Sequence, residues 1–277
     1  MTNTSNRFYK AAVFDWAGTI IDYGSLAPTA VFTRLFETIG IDVTDAEARG
    51  PMGLPKRNHI AAMLEMPRIR DAYIRVAGHE PGDDDVSSLY AAFLPLNLEV
   101  ATDYANPIPG AVEAVAALRQ RGLKIGSTTG YGRQVMEAVI PIAARHGYSP
   151  DNVVCGDDLA ESRPGPVMMY RCFADLAVYP PEAVIKVDDT PPGIAEGTAA
   201  GCLTVGVSVT GNGLGPTEDE WHALSPADPL AQRQAAEKIL PNAGADHVID
   251  RVADLPAPIA RLQRLKNCQE RPMGGTM

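Results

Sequence analysis

No run of apolar residues approaches the ~20 needed for a membrane-spanning helix, so no transmembrane segment is expected in this 277-residue chain. The stretch from Met1 to Lys10 lacks the apolar centre of a secretory signal, and the expected compartment is the cytoplasm. Cysteine is scarce. Cys155, Cys172, Cys202 and Cys268 stand far apart without a Cys-x-x-Cys spacing, which argues for reduced thiols and against a disulfide frame or zinc site. Bases are outnumbered, 24 Lys and Arg against 34 Asp and Glu, for a formal charge of −10. That balance predicts no nucleic-acid partner, while leaving room for a local cationic pocket that takes an anion. No internal repeat is present. An apolar fraction of 45% supplies a real core, and the length allows one large domain or two smaller ones.

The most informative stretch is Val13-Phe14-Asp15-Trp16-Ala17-Gly18-Thr19. Ala11 to Phe14 reads as a short buried strand, and Gly18 opens the turn after it. Asp15 then stands at the carboxyl end of a strand, where open α/β sheets bind their ligands. Beyond it the pattern turns helical. Phe32, Leu35, Phe36 and Ile39 recur at helical spacing from Pro28 onward, and Gly40 ends the run. Thr44 with Glu47 fits a capping box for a second helix from about residue 45. Pro51 to Pro55 interrupts, a third helix runs from Lys56 to about Leu64, and helical pattern continues to about 105, broken by a Gly/Asp-rich turn from Gly82 to Asp85. No strand is expected between 20 and 105.

After Asn106 to Gly110, which reads as a linker, strands and helices alternate. Strands are expected at Leu123 to Ser127, Asn152 to Cys155, Val184 to Val187, Leu203 to Val209 and His247 to Ile249. Helices are expected at about 110–121, around Val135 to Ile142 (with Pro141 kinking or shortening it), and through Met169 to Leu176. The alternation predicts an α/β fold with a parallel, helix-covered sheet. A helical insertion splits it, giving a sheet domain at 1–22 and 107–265, a helical domain at 23–106, and a disordered tail at 266–277.

Three further strand ends carry polar residues. Ser127-Thr128-Thr129-Gly130-Tyr131 offers hydroxyls and N–H groups ahead of a helix, which suits a phosphate and equally suits a simple helix cap. Arg163 is placed to neutralise a phosphoryl group, although an isolated arginine is usually solvated. Asp188 and Asp189 end a strand as adjacent carboxylates, costly to bury without a cation unless they cap a helix. In the helical insertion, Lys56 opens a helix with His59 one turn later on the same face. A lysine with a depressed pKa forms Schiff bases with carbonyls, whereas most helical lysines are solvated.

Taken in order, Asp15, Thr129, Arg163 and Asp189 resemble the four motifs of the haloacid dehalogenase superfamily. The resemblance implies a Rossmann-like parallel-sheet core with an inserted all-helical cap, and Asp15 as the nucleophile. Phosphotransferases of that superfamily carry a second Asp two residues after the first, which protonates the leaving group. Here that position is Ala17. Together with Met52-Gly53-Leu54, Lys56, His59, Gly126 to Tyr131 and Arg163-Pro164, this departure resembles the phosphonoacetaldehyde hydrolases (phosphonatases), over residues 8 to 255.

That resemblance implies hydrolysis of the P–C bond of phosphonoacetaldehyde to acetaldehyde and phosphate, a step in 2-aminoethylphosphonate degradation. Lys56 would form the Schiff base and Asp15 an aspartyl phosphate. Mg²⁺ would be held by Asp15, the carbonyl of Ala17 and Asp189. Thr129, Gly130 and Arg163 would bind the phosphoryl oxygens, with His59, Met52 and Tyr131 on the aldehyde side. A homodimer is implied as well, with hinges near Tyr23-Gly24-Ser25 and Asn106 to Pro109. The family's metal loop can carry a further Asp where this chain has Gly193, which makes Asp188 the candidate replacement. Two alternatives stand beside this reading: a phosphomonoesterase or phosphomutase of the same superfamily, and a non-catalytic phosphoryl-binding protein.

Overall fold

A computed structural model describes residues 8–215, 217–223 and 238–269. Five parallel strands form one sheet: β1 (Ala11–Phe14), β2 (Lys124–Ser127), β3 (Val184–Asp188), β4 (Leu203–Val207) and β5 (His247–Ile249). Their order is β2-β1-β3-β4-β5, so the chain reverses its direction of travel across the sheet beside β1. A crevice for ligands opens at such a switch point. All four residues of β1 are buried, as expected for a strand with neighbours on both sides and helices on both faces. Ala11 and Val13 pack with Met168, Met169 and Cys172 of α8 (Val167–Leu176) on one face. Ala12 and Phe14 join the opposite cluster, with Val115 of α6 (Ala111–Gln120) and Val139 of α7 (Arg133–Arg145).

Register decides what meets at the sheet's edge. Phe14 lies beside both Ser127 and Val187. The next residues of the three strands, Asp15, Thr128 and Asp188, therefore emerge at one level.

Between β1 and α6 the chain builds five helices and, among the described residues, no strand: α1 (Leu26–Thr38), α2 (Asp45–Arg49), α3 (Lys56–Glu65), α4 (Pro67–Ala77) and α5 (Asp83–Asp103). They enclose their own apolar cluster, with Phe32, Leu35, Phe36, Ile60, Met63 and Phe93 fully buried. Thr44 and Glu47 cap α2 reciprocally, the box read from the sequence. The carboxylate of Asp22 accepts from the N–H groups of Leu26 and Ala27 at 2.9 and 3.0 Å and starts α1. Later helices among the described residues include α9 (Pro191–Ala199), α10 (Glu218–Ala223) and α11 (Pro256–Gln269). No helix among the described residues is long and apolar enough to cross a membrane.

Four local expectations are corrected. Asn152 to Cys155 forms no strand, only a bridge between Thr128 and Val154. The Asp151 carboxylate takes the N–H of Ile125 at 2.8 Å, in place of a backbone carbonyl, so the ladder does not run on. Pro141 does not shorten α7, because Pro141 is exposed and the carbonyl it leaves free can meet water. The turn expected at Gly82 to Asp85 is instead the start of α5. Its three Asp residues favour the positive helix end, and Asp85 accepts from the N–H of Gly82 at 2.8 Å. The tail expected to be disordered begins as helix, since α11 continues through Asn267 to Gln269. Residues 270–277 lie outside the described residues.

Candidate active site

The ends of β1 and β3, α9 and the chain ahead of α8 bring four acids and two bases into one buried cluster. Arg163 sits at its centre, its Nη2 2.8 Å from Asp15 and 3.1 Å from Asp188, its Nε 3.1 Å from Glu196. Nη2 also donates to the carbonyl and the hydroxyl of Thr128, each at 3.0 Å. Beneath it, Lys186 Nζ lies 3.0 Å from Asp188 and 2.9 Å from Glu196, and donates to Thr128 Oγ1 at 2.6 Å. Burial disfavours the charge on Arg163, but Asp188, Asp15 and Glu196 outweigh it and raise its pKa. A guanidinium so bound stays charged and stays in place.

The sequence reading gives Lys186 and Glu196 no role, and includes Thr128 only as part of the stretch Ser127 to Tyr131. One signal was available: Lys186 is a charge inside the apolar run Val184-Ile185-Lys186-Val187, and a buried lysine requires an acid partner. Glu196 gave none, since its approach depends on how α9 lies against β3.

Three carboxylates, Asp15, Asp188 and Asp189, offer oxygen atoms that all lie within 4.8 Å of one another. Burial, then the charge of Asp188, pushes Asp15 up to about 6 against the pull of Arg163. Asp189 is raised well above the usual range by burial and by the charges of Asp15 and Asp188. Asp188 is lowered, because Arg163 and Lys186 together overcome its burial. Like charges at this spacing are relieved by a dication, so the donor set fits Mg²⁺, which takes carboxylate oxygens.

Gly193 has a structural reason. A Cβ there would stand 2.0 Å from the Asp188 carboxylate, so Asp188 fills the space a side chain at 193 would occupy. Asp188 is held by the N–H and hydroxyl of Thr190 at 3.0 and 2.7 Å. Asp189 accepts from Thr19 Oγ1 at 3.1 Å and from the N–H of Asn212 at 2.7 Å.

The helical layer closes over this cluster. Lys56, at the start of α3, is 7% exposed and lies 4.9 Å from the Tyr131 ring centroid and 5.5 Å from that of Phe32. Burial lowers its pKa to about 8, with Asp15 pulling the other way and Arg163 reinforcing the shift. Asp15, Ala17, Met52, Lys56, Thr129, Gly130, Tyr131 and Arg163 line one small cavity, together with Ser25, Pro28, Gly53 and Thr190. The cavity measures about 20 Å³, room for about one water. A cleft of about 580 Å³ adjoins it and shares Lys56, Gly130 and Arg163.

Two expected site residues stand apart from that lining. Asp189 lies behind it, on the Thr19 and Asn212 side. His59 is fully buried in the helical layer, stacked on Phe32 with centroids 3.7 Å apart and Nε2 2.9 Å from the carbonyl of Ala48. Burial, then the charge of Lys56, holds its pKa well below the ordinary value, so His59 is a neutral neighbour of the lysine. Thr129 Oγ1 accepts from the N–H of Tyr131 at 3.1 Å.

Comparison with known proteins agrees with this geometry. Residues 9–201 match the haloacid dehalogenase-like hydrolases. The chain is 45% identical over 263 residues to the phosphonoacetaldehyde hydrolase of Paraburkholderia phytofirmans, covering 95% of this chain and 98% of the relative. It is 46% identical to that of Paraburkholderia xenovorans with the same coverage. A crystal structure of a phosphonoacetaldehyde hydrolase-like protein from Oleispira antarctica superposes with a TM-score of 0.93 at 40% identity, covering 98% of this chain and 99% of that one. With nearly full-length similarity added to a buried lysine facing a strand-end aspartate, the chain belongs to the haloacid dehalogenase-like hydrolases and, within them, to the phosphonoacetaldehyde hydrolase family.

Proposed function

We propose that the protein hydrolyses the P–C bond of phosphonoacetaldehyde through a Lys56 Schiff base and an aspartyl phosphate on Asp15. One observation carries this reading: Lys56 and Asp15 line the same cavity, beside Arg163 and where Ala17 leaves no acid. With a pKa near 8, about a tenth of Lys56 is free amine at neutral pH. The amine adds to the aldehyde and water leaves, giving an imine that is protonated on nitrogen. Asp15 then attacks phosphorus, and the P–C bonding pair moves into the iminium to form an enamine. Protonation of the enamine carbon and hydrolysis of the imine release acetaldehyde and restore Lys56. Water hydrolyses the aspartyl phosphate and restores Asp15.

The leaving group is a carbon stabilised by the iminium, so no acid is required at position 17. Arg163, fixed by Asp188 and Glu196, is placed to hold the phosphoryl oxygens, with Thr129 and Gly130 beside it. Asp15, Asp189 and the carbonyl of Ala17 would hold Mg²⁺, with Asp188 adjoining. When bound, the ion offsets charge on the phosphoryl oxygens and on the acids around it. Met52 and Tyr131 cover the aldehyde side, while His59 stands beside Lys56 as a buried, neutral neighbour. A cavity of about 20 Å³ is too small for the substrate, so residues 23–106 would open as a cap on hinges near 23–25 and 106–109. The same reading makes the protein a cytoplasmic homodimer that serves 2-aminoethylphosphonate degradation.

The test is incubation with Mg²⁺, phosphonoacetaldehyde and borohydride, followed by peptide mass spectrometry. The expected result is a reduced two-carbon adduct on Lys56 with parallel loss of activity. Aldehyde release unaffected by borohydride, with no adduct, would remove Lys56 from the mechanism and reopen the phosphomonoesterase alternative.

A further inference from the structure

We propose that Arg49, at the end of α2, is a positioning residue that ties closure of the helical layer to the orientation of Asp189. The inference rests on the reading of Asp189 as a metal ligand. Arg49 Nη1 donates to the carbonyl of Gly24 at 2.7 Å, and to the backbone and side-chain oxygens of Asn212, each at 3.4 Å. Nη2 donates to the carbonyl of Gly215 at 3.3 Å, and Asn212 Nδ2 returns a bond to the carbonyl of Arg49 at 3.2 Å. One guanidinium thus joins three segments: the helical layer, the chain leaving the β1 turn, and the loop after β4. A planar fork with five donors can do this, where an ammonium at the end of a flexible stem cannot.

The loop it grips is the one that holds Asp189. The N–H of Asn212 donates to Asp189 Oδ2 at 2.7 Å. Two residues earlier, Thr210 Oγ1 donates to the carbonyl of Gly18, and its own carbonyl accepts from the N–H of Gly24 at 2.8 Å. Gly215 has a φ of 71°, and a Cβ there would stand 2.5 Å from Arg49 Cζ. Bare backbone at 215 is what lets the guanidinium in. Arg49, Asn212 and Gly215 also line a cleft of about 530 Å³ that reaches Asp189, so the loop has open space on that side. When the helical layer swings away, Arg49 goes with it, and the N–H that orients Asp189 loses its brace. Metal geometry is then complete only in the closed form.

The test compares Arg49→Ala and Arg49→Lys with the parent protein and with Ile69→Val, a core change of the helical layer that touches none of these bonds. Two quantities are read without substrate: the Mg²⁺ dissociation constant by calorimetry, and amide hydrogen exchange of residues 210–215. Arg49→Ala is expected to weaken Mg²⁺ about tenfold or more and to speed exchange at Asn212, with Arg49→Lys recovering only part of either. Arg49→Ala matching the parent, or matching Ile69→Val once melting temperatures are taken into account, would overturn the inference. If the parent binds no Mg²⁺, the metal assignment of Asp189 fails, and unchanged exchange at Asn212 would still overturn the Arg49 link. Borohydride trapping at Lys56 reports separately on the proposed reaction.

Discussion

Arg163 and Lys56 are both buried cations facing one small cavity, yet the protein treats them in opposite ways. Arg163 lies against three carboxylates and two oxygens of Thr128. Lys56 lies against the rings of Tyr131 and Phe32 and makes no ion pair among the described residues. Burial works against both charges. Carboxylates reverse that cost for Arg163, and aromatic faces only soften it for Lys56. Under the proposed mechanism the difference matches two tasks: the cation that would hold an anion is pinned in its charged form, and the amine that would attack a carbonyl is left able to lose its proton.

The severest way to break this division is Lys56→Arg, which keeps a cation and removes the nucleophilic amine. P–C cleavage, followed as acetaldehyde release, should fall about 10³-fold or more. Asp15→Asn should lose as much turnover yet still yield the borohydride adduct on Lys56, separating the imine from the attack on phosphorus.

Next comes the supporting side. Lys186→Met strands Asp188 and Glu196 without one of their cations and should cost about 3–5 kcal/mol in urea unfolding. Lys56→Met should act in the opposite direction at pH 7, raising stability by about 1–3 kcal/mol, because it removes a buried charge that no carboxylate contacts. The folded pKa of Lys56 is depressed, so the unfolded chain binds the extra proton between about 8 and 10.5. The stability cost is complete below about pH 8 and disappears as pH rises toward 10.5, so the advantage of Lys56→Met should shrink across that window. For the same reason the initial rate of adduct trapping should rise about tenfold per pH unit below about 8 and level off above it.

A smaller effect sharpens the metal side. Gly193→Ala places a Cβ where the Asp188 carboxylate now sits. Mg²⁺ affinity, measured by calorimetry, should weaken about tenfold as Asp188 is displaced.

Much of this arrangement was legible in the chain. Short apolar runs marked all five strands closely, and the capping box at Thr44 marked α2. The polar residues after those runs were conspicuous because a strand end in an α/β sheet is where chemistry collects. What could not be read came from side chains doing a backbone's work or from contacts between distant elements. Asp151 took the N–H that a strand at 152–155 needed, which no strand propensity reports. Glu196 reaches Arg163 and Lys186 only because α9 packs against β3. His59, expected on the aldehyde side, turned instead onto Phe32 in the apolar interior of the helical layer.

The order of residue types along the chain was enough to single out Asp15 and Lys56 as candidates and to mark the missing acid at Ala17, because these depend on which group is present. Which cation keeps its proton, whether Asp188 takes the space beside Gly193, and how Arg49 reaches the loop behind Asp189 were decided by the tertiary structure. Those are matters of distance and burial, and ionisation and hydrogen bonding depend on the groups that lie within a few ångströms, wherever they stand in the sequence.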